Sequence, residues 1–226
     1  MKSALVTGGS SGLGLALARM LRAEGYDLTL VARRPEPLEE AAAELGALAV
    51  AANLADADEC TRAVAAHAER HGGMNVLVNS AGLGIMSSFA DQDTKRIGLQ
   101  LDVNLRATMI VTREALPLLR AAHGHVITLA SIAGMIPTPG LAVYGATKAA
   151  LISLTSSINR EEAEYGVRAT TISPDFVATR MTDWTGLRAE EQIQPDDIAA
   201  LVRTVLYLSP RARIPNIVVE LLRDGV

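Results

Sequence analysis

Short runs rich in valine, isoleucine and leucine alternate with longer alanine-rich helical patterns along all 226 residues, and that alternation restricts the fold severely. Neighbouring parallel strands need a crossover of a dozen or more residues, usually a helix, so the pattern reads as repeated βαβ units. Strands are expected at Ser3–Val6, Asp27–Ala32, Leu48–Ala52, Val76–Val78, His125–Ala130, Val167–Ile172 and Ile217–Leu221. Most are apolar on both faces, as befits a sheet covered by helices on both sides. Helices are expected at Gly12–Glu24, Pro37–Glu44, Asp56–His71, Thr94–Ala122, Tyr144–Tyr165 and Pro195–Leu208, with Pro117 predicted to kink or interrupt the fourth. No Pro/Gly/Ser linker divides the halves, so residues 1–226 read as a single α/β domain with a doubly wound parallel sheet of about seven strands. Ligand chemistry in such a sheet belongs at the carboxyl ends of the strands.

Composition narrows the partners. Charged residues are 20% of the chain and the net charge is −4, with no basic run suited to a phosphate backbone, which argues against nucleic acid. No segment approaches the roughly 20 apolar residues of a bilayer span, and the chain enters a strand-like run at once without a signal-peptide core, so a cytoplasmic protein with no membrane partner is expected. Cys60 is the single cysteine and reads as a reduced helix residue. His67 and His71 share a helical face and His123 and His125 flank a strand start, yet no cysteine or carboxylate completes a metal shell around them. They are read as surface residues, and no metal is expected.

The first βα turn is Thr7-Gly8-Gly9-Ser10-Ser11-Gly12-Leu13-Gly14. Glycines there allow a tight turn and let the backbone approach a pyrophosphate, for which the helix N-terminus supplies N–H donors and positive dipole. A glycine-rich turn alone is equally an ordinary connection. A dinucleotide site normally carries an acid about 20 residues further on, at the tip of the second strand, to bind the ribose hydroxyls. Here the tip is Ala32, followed by Arg33 and Arg34. The missing carboxylate and the two guanidinium forks favour a 2′-phosphate, hence NADP(H) with NAD(H) as the alternative, against the reading of two solvated loop arginines.

Tyr144 and Lys148 are four apart at the start of a helical stretch and so share a face. Bringing a phenol from a pKa near 10 to neutrality takes about 3 units, roughly 4 kcal/mol, and a neighbouring ammonium works in that direction. Ser131 follows the fifth strand, where its hydroxyl could hold a substrate oxygen beside Tyr144. Such a Tyr/Lys pair, taken alone, is usually structural.

Taken in order, the glycine turn, Asn79-Ser80-Ala81-Gly82, Asn104, Ser131, Tyr144 with Lys148, and Pro174 to Thr179 resemble the short-chain dehydrogenase/reductase family over the whole chain. The resemblance implies a Rossmann fold and an NADP-preferring oxidoreductase acting on CH–OH groups. Its catalytic tetrad falls on Asn104, Ser131, Tyr144 and Lys148. By similarity Tyr144 exchanges the proton, Lys148 binds the nicotinamide ribose and lowers the phenol pKa, Asn104 anchors a water, and Ser131 polarises the carbonyl. Cofactor contacts carried over are Thr7, Gly8, Ser10, Ser11, Gly12, Leu13, Gly14, Arg33, Arg34, Asn53, Leu54, Asn79, Ala81, Gly82, Tyr144, Lys148, Pro174, Val177 and Thr179. Three positions depart from the family pattern. Asn53 stands for an aspartate that contacts the adenine amino group, Ser80 for a second asparagine, and Asp175 for a glycine after Pro174.

The resemblance places a substrate lid at Arg180–Gln194, short here and holding Trp184, Leu187 and Ile193. A shallow pocket for a small substrate is expected, closed partly by Trp184; Arg180 could hold a carboxylate or simply be solvated. The outer faces of the fourth and fifth helices imply a homodimer or homotetramer. The leading expectation is hydride transfer between NADP(H) and a small carbonyl/alcohol such as a 3-hydroxy acid. A 3-oxoacyl-thioester reductase and a non-catalytic NADP-binding regulatory protein are the alternatives, with a methyltransferase or an extended-family epimerase further off.

Overall fold

A computed structural model describes residues 2–222. Seven strands, β1 (Ser3–Thr7), β2 (Asp27–Ala32), β3 (Leu48–Ala51), β4 (Val76–Asn79), β5 (His125–Leu129), β6 (Arg168–Pro174) and β7 (Asn216–Val219), form one parallel sheet in the order β3-β2-β1-β4-β5-β6-β7. The winding reverses between β1 and β4. Thr7 pairs in register with Asn79 there, and Asn79 with Thr128, so the carboxyl ends of the central strands finish level at the crevice.

Seven helices cover the sheet among the described residues: α1 (Gly12–Ala23), α2 (Pro35–Leu45), α3 (Ala57–His71), α4 (Thr94–Gln100), α5 (Ala107–Ala122), α6 (Ala142–Glu161) and α7 (Pro195–Tyr207). Leucines and alanines of α1, α2 and α7 pack on one face of the sheet, and those of α3 and α5 on the other. The helix ends follow local chemistry. Asp56 caps α3 by accepting from the N–H groups of Asp58 and Glu59, Asp93 caps α4 through Arg96, and Gly72 leaves α3 at φ 70°.

The stretch Thr94–Ala122 is not one α-helix, and the break is not at Pro117. Helix α5 runs through that proline, while a π-helical turn at Leu101–Arg106 separates α4 from α5. The widened turn falls where Asn104 is engaged by three side-chain hydrogen bonds, an interaction that outweighs regular winding. Two of the four histidines are also not surface residues. His67 is fully buried, with Nδ1 bonded to Thr29 Oγ1 at 2.9 Å and Nε2 to the Gly73 carbonyl at 2.9 Å. His125 is buried with Nε2 at 2.9 Å from Thr170 Oγ1. A hydroxyl or carbonyl partner at each ring lets a neutral imidazole occupy the core. Among the described residues no helix is long and apolar enough to cross a membrane.

Candidate active site

The glycine turn is built for close approach. Gly8 and Gly12 have φ of 67° and 53°, a region that disfavours side chains. A Cβ on Gly14 would lie 2.2 Å from the Gly8 carbonyl oxygen, so the turn and the first turn of α1 interlock only without one. Thr7 Oγ1 accepts from the N–H groups of Ser80 and Ala81, both at 3.1 Å, which staples the turn to the Asn79–Gly82 segment across the reversal point. Ser11, the N-cap of α1, makes no side-chain cap, leaving the helix N-terminus open to an anion. Leu13 packs half-buried behind it, and Ser10 is half-buried at its side. A cradle of this kind fits a dinucleotide pyrophosphate.

The tip of β2 is tied to the same turn, since Val31 O accepts from the N–H groups of Gly8 at 2.8 Å and Gly9 at 3.3 Å. Arg33 and Arg34 project beyond it, both exposed, and neither takes part in an ion pair among the described residues. The Asn53 side-chain oxygen accepts from Ala55 N at 3.3 Å, which commits one lone pair to the local turn and leaves the second for another donor. Leu54 is buried next to it, its carbonyl accepting from the Cys60 thiol at 3.4 Å. Burial pushes that thiol up to about 11, so it stays protonated.

At the other end of the crevice, two glycines set the catalytic candidates. A Cβ on Gly134 would lie 2.7 Å from the backbone of Lys148 and Ala149, and one on Gly145 would lie 2.6 Å from the Ala133 carbonyl oxygen. Helix α6 therefore presses directly on the 3₁₀ turn Ile132–Gly134 that Ser131 caps by accepting from Ala133 N. Ser131 Oγ points to the Pro174 carbonyl at 3.5 Å and stabilises the ionised form of the Tyr144 phenol by hydrogen bonding. Lys148 is buried, with Nζ 5.5 Å from the centre of the Tyr144 ring and donating to the Leu129 carbonyl at 2.7 Å.

Burial dominates both groups. It lowers Lys148 to about 8 and raises the Tyr144 phenol above its ordinary value, with the Ser131 hydroxyl working against the latter. The expectation that Lys148 holds the phenol down is thus not how the balance falls: desolvation prevails, and the opposing influence is Ser131. Asn104 is fully buried. Its oxygen accepts from Leu83 N at 2.8 Å, and its amide donates to the Leu83 carbonyl at 2.9 Å and to Thr147 Oγ1 at 3.1 Å.

A Cβ on Gly82 would meet both Asn104 Oδ1 at 3.4 Å and Lys148 Nζ at 3.5 Å, so Asn104, Gly82 and Lys148 converge. Asn79 donates to Thr112 Oγ1 at 2.9 Å, with its own oxygen buried and unpartnered. Pro174 and Val177 are buried at the end of β6, and Thr179 lies over the glycine turn, where a Cβ on Gly12 would sit 3.5 Å from its methyl. All four tetrad candidates and the glycine turn therefore share one crevice, with Arg33 and Arg34 at its outer end. Asn53 follows β3, the neighbour of β2, with one of its two acceptor sites engaged.

The segment after β6 comprises 3₁₀ turns at Arg180–Thr185 and Ala189–Glu191, closed by a parallel bridge between Val177 and Ile193. Thr182 Oγ1 lies 2.7 Å from both the Val177 carbonyl and Gln192 Oε1. Trp184 stacks edge-on against Phe176 with ring centres 5.7 Å apart and remains half exposed. A cleft of about 470 Å³ lies between Met135–Pro139 and the α6 face carrying Ala142, Ala146 and Ala149, and none of the tetrad candidates lines it. Asp175 keeps its N–H in the sheet through the Val219 carbonyl at 2.8 Å.

Sequence reading overlooked Thr147, Gln100 and Gln92, all of which take part in the hydrogen bonding around Asn104 and its loop. Gln100, one helical turn before Asn104, was the only signal available. Among the described residues no group of histidine, cysteine, aspartate or glutamate could hold a metal ion.

Residues 2–189 match the family described as short chain dehydrogenase. An uncharacterized oxidoreductase of Staphylococcus epidermidis is 39% identical over 207 residues, covering 89% of each chain. One from Staphylococcus aureus is 32% identical over 223 residues, covering 97% of this chain and 96% of that one. Among solved structures, an alcohol dehydrogenase from the archaeon Thermococcus sibiricus complexed with 5-hydroxy-NADP is 27% identical with a TM-score of 0.91 over the full length of both chains. A short chain dehydrogenase from Burkholderia cenocepacia in complex with NADP is 30% identical, with a TM-score of 0.89 over 97% of this chain and 96% of that one.

Proposed function

Because the chain belongs to the short-chain dehydrogenase family and is an oxidoreductase, we propose that it interconverts a small carbonyl compound and its alcohol with NADP(H), using Tyr144 as general acid and base. The observation that carries this reading is the convergence of the Tyr144 phenol, the Ser131 hydroxyl and the Lys148 ammonium at the carboxyl end of the sheet. When bound, the nicotinamide supplies or accepts the hydride. In the direction of reduction Ser131 holds the carbonyl oxygen and Tyr144 donates its proton to that oxygen; in oxidation Tyr144 takes the proton back. A phenol raised by burial stays protonated at neutrality, which suits the donor role. Lys148 is held by the Leu129 carbonyl, and Asn104 keeps Gly82 and Leu83 beside it.

Thr7 to Gly14, Asn79, Ala81, Gly82, Pro174, Val177 and Thr179 would hold the dinucleotide, with the segment at residues 180–194 bordering the substrate. Arg33 and Arg34 support the choice of NADP(H), being exposed, without an ion pair among the described residues, and beside a strand tip that carries no acid. The two structural relatives bound to NADP or its hydroxylated form point the same way.

The test is NADPH consumption over a panel of aldehydes and ketones. Tyr144→Phe should lose activity by about 10² or more, the scale of a removed general acid; turnover at the wild-type rate would remove Tyr144 from the mechanism. Replacing Arg33 and Arg34 together by alanine should raise the KM for NADPH by about 10 to 100-fold and that for NADH far less. Equal effects on both cofactors would return the two arginines to the solvent.

A further inference from the structure

Among the described residues no strand pairs with the segment between β4 and α4, yet its backbone is paired as though one did. Leu83 exchanges both of its backbone hydrogen bonds with the Asn104 amide, at 2.8 and 2.9 Å. Two residues on, Ile85 donates its N–H to Gln100 Oε1 at 3.2 Å and its carbonyl accepts from Gln92 Nε2 at 3.1 Å. Two further, Ser87 donates to the Gly140 carbonyl at 3.0 Å. Exposure alternates in step, with Gly84, Met86 and Ser88 exposed and Leu83, Ile85 and Ser87 half-buried. That period of two is the signature of an extended strand, here satisfied at Leu83 and Ile85 by side-chain amides in place of a neighbouring backbone.

The residues between the clamped positions face the chemistry. A Cβ on Gly84 would lie 3.4 Å from Cδ2 of the Tyr144 ring, and one on Gly140 would lie 3.4 Å from Met86 Cγ. The segment thus lines Tyr144 and bends back to the start of α6. Gln100 is fully buried and its amide is used at both ends, since Nε2 donates to the Arg96 carbonyl at 3.3 Å while Oε1 takes Ile85. Its head group is fixed within α4, so it acts as a rigid peg for the loop.

We propose that Gln100, supported by Gln92, is a positioning residue for the reaction. Its amide holds Ile85 so that Gly84 and Met86 form the substrate-side wall against Tyr144. This rests on the function proposed above, although the clamp itself is testable without turnover. Among the described residues the Gln100 amide bonds only Ile85 and Arg96, not the glycine turn, Ser131, Tyr144 or Lys148, so releasing Ile85 loosens the wall and spares both cofactor affinity and proton transfer.

The experiment compares Gln100→Met, close in length but lacking the amide, with Gln92→Met, Gln100→Glu and wild type. Hydrogen exchange of the peptide spanning residues 82–88 should quicken in both methionine variants. The KM for the carbonyl substrate should rise about five- to tenfold in Gln100→Met, the effect of one lost hydrogen bond to a buried group. The kcat and the NADPH dissociation constant should stay within about twofold. Gln100→Glu keeps an acceptor oxygen for Ile85 but sets its second oxygen against the Arg96 carbonyl, and should recover only part of the loss.

Unchanged exchange in the methionine variants overturns the clamp. Quickened exchange with an unchanged KM overturns the positioning role. If Gln100→Met does not fold, Gln92→Met decides, because Gln92 lies at a partly exposed loop position and its loss frees only the Ile85 carbonyl. A wild type inactive on every carbonyl offered would count against the proposed function, and the exchange measurement would still decide the clamp.

Discussion

Lys148 is an ammonium kept where water hardly reaches, and its cost and its use can be separated. Burial lowers it from 10.5 to about 8, so the folded protein holds its proton less tightly than the unfolded chain. The sign follows from linkage: below about 8 the folded state carries the full penalty, and stability rises as pH climbs from about 8 toward 10.5. Lys148→Met should therefore be more stable than wild type at pH 7, by about 1 to 3 kcal/mol once the lost bond to Leu129 is set against the relieved desolvation. Urea unfolding checks this, and a destabilised variant would contradict it. The kcat/KM for carbonyl reduction in the wild type should be level below about pH 8 and fall above it, because the phenolate left when Tyr144 gives up its proton then lacks a cation beside its ring. At this scale type and spacing singled out Tyr144, Lys148 and Ser131, whereas Asn104 came only from the resemblance to the family. The direction of the Tyr144 shift was not legible, because desolvation depends on everything packed around the ring.

Elements were legible wherever periodicity decides. Strand and helix positions followed from alternating apolar runs, and most boundaries moved by one or two residues. The π turn at Leu101–Arg106 escaped, since a run of helix-forming residues carries no mark of the hydrogen bonds that Asn104 makes with Leu83 and Thr147. Pro117 does not interrupt α5, for the complementary reason: the helix on either side of it is held by packing of Val111, Ala115 and Leu119 in the core. The contact between α6 and the turn after β5 is the tightest at the catalytic end of the crevice, because Gly145 leaves no room for a methyl beside the Ala133 carbonyl. Gly145→Ala should push the two apart, lower kcat by about tenfold or more, and destabilise the fold by about 1 to 3 kcal/mol. Wild-type kcat and thermal midpoint in that variant would show that the contact tolerates expansion.

Over the whole molecule the doubly wound sheet was readable in advance, but the fate of the histidines was not, because burial is set by which strand ends meet. His67 links Ser3 at the start of β1, Thr29 of β2 and the Gly73 carbonyl ahead of β4, and His125 opens β5. Desolvation lowers His67 to about 4 and His125 to about 3, so both stay neutral when folded. Their stabilisation is complete above about 6.5 and drains away as pH falls toward those values, about 3 kcal/mol for His67 alone. Denaturation midpoints measured from pH 7 to 4 should fall less steeply in His67→Gln than in wild type; parallel curves would exclude the histidine as a source.

These rings lie on the rim of the sheet where strands begin, whereas Tyr144 and Lys148 lie on the rim where strands end. Acid and alkali therefore strike opposite poles: one loosens the scaffold, the other silences the reaction. Engineering the lower pole should shift the acid limit of the working range and leave its alkaline limit where it was.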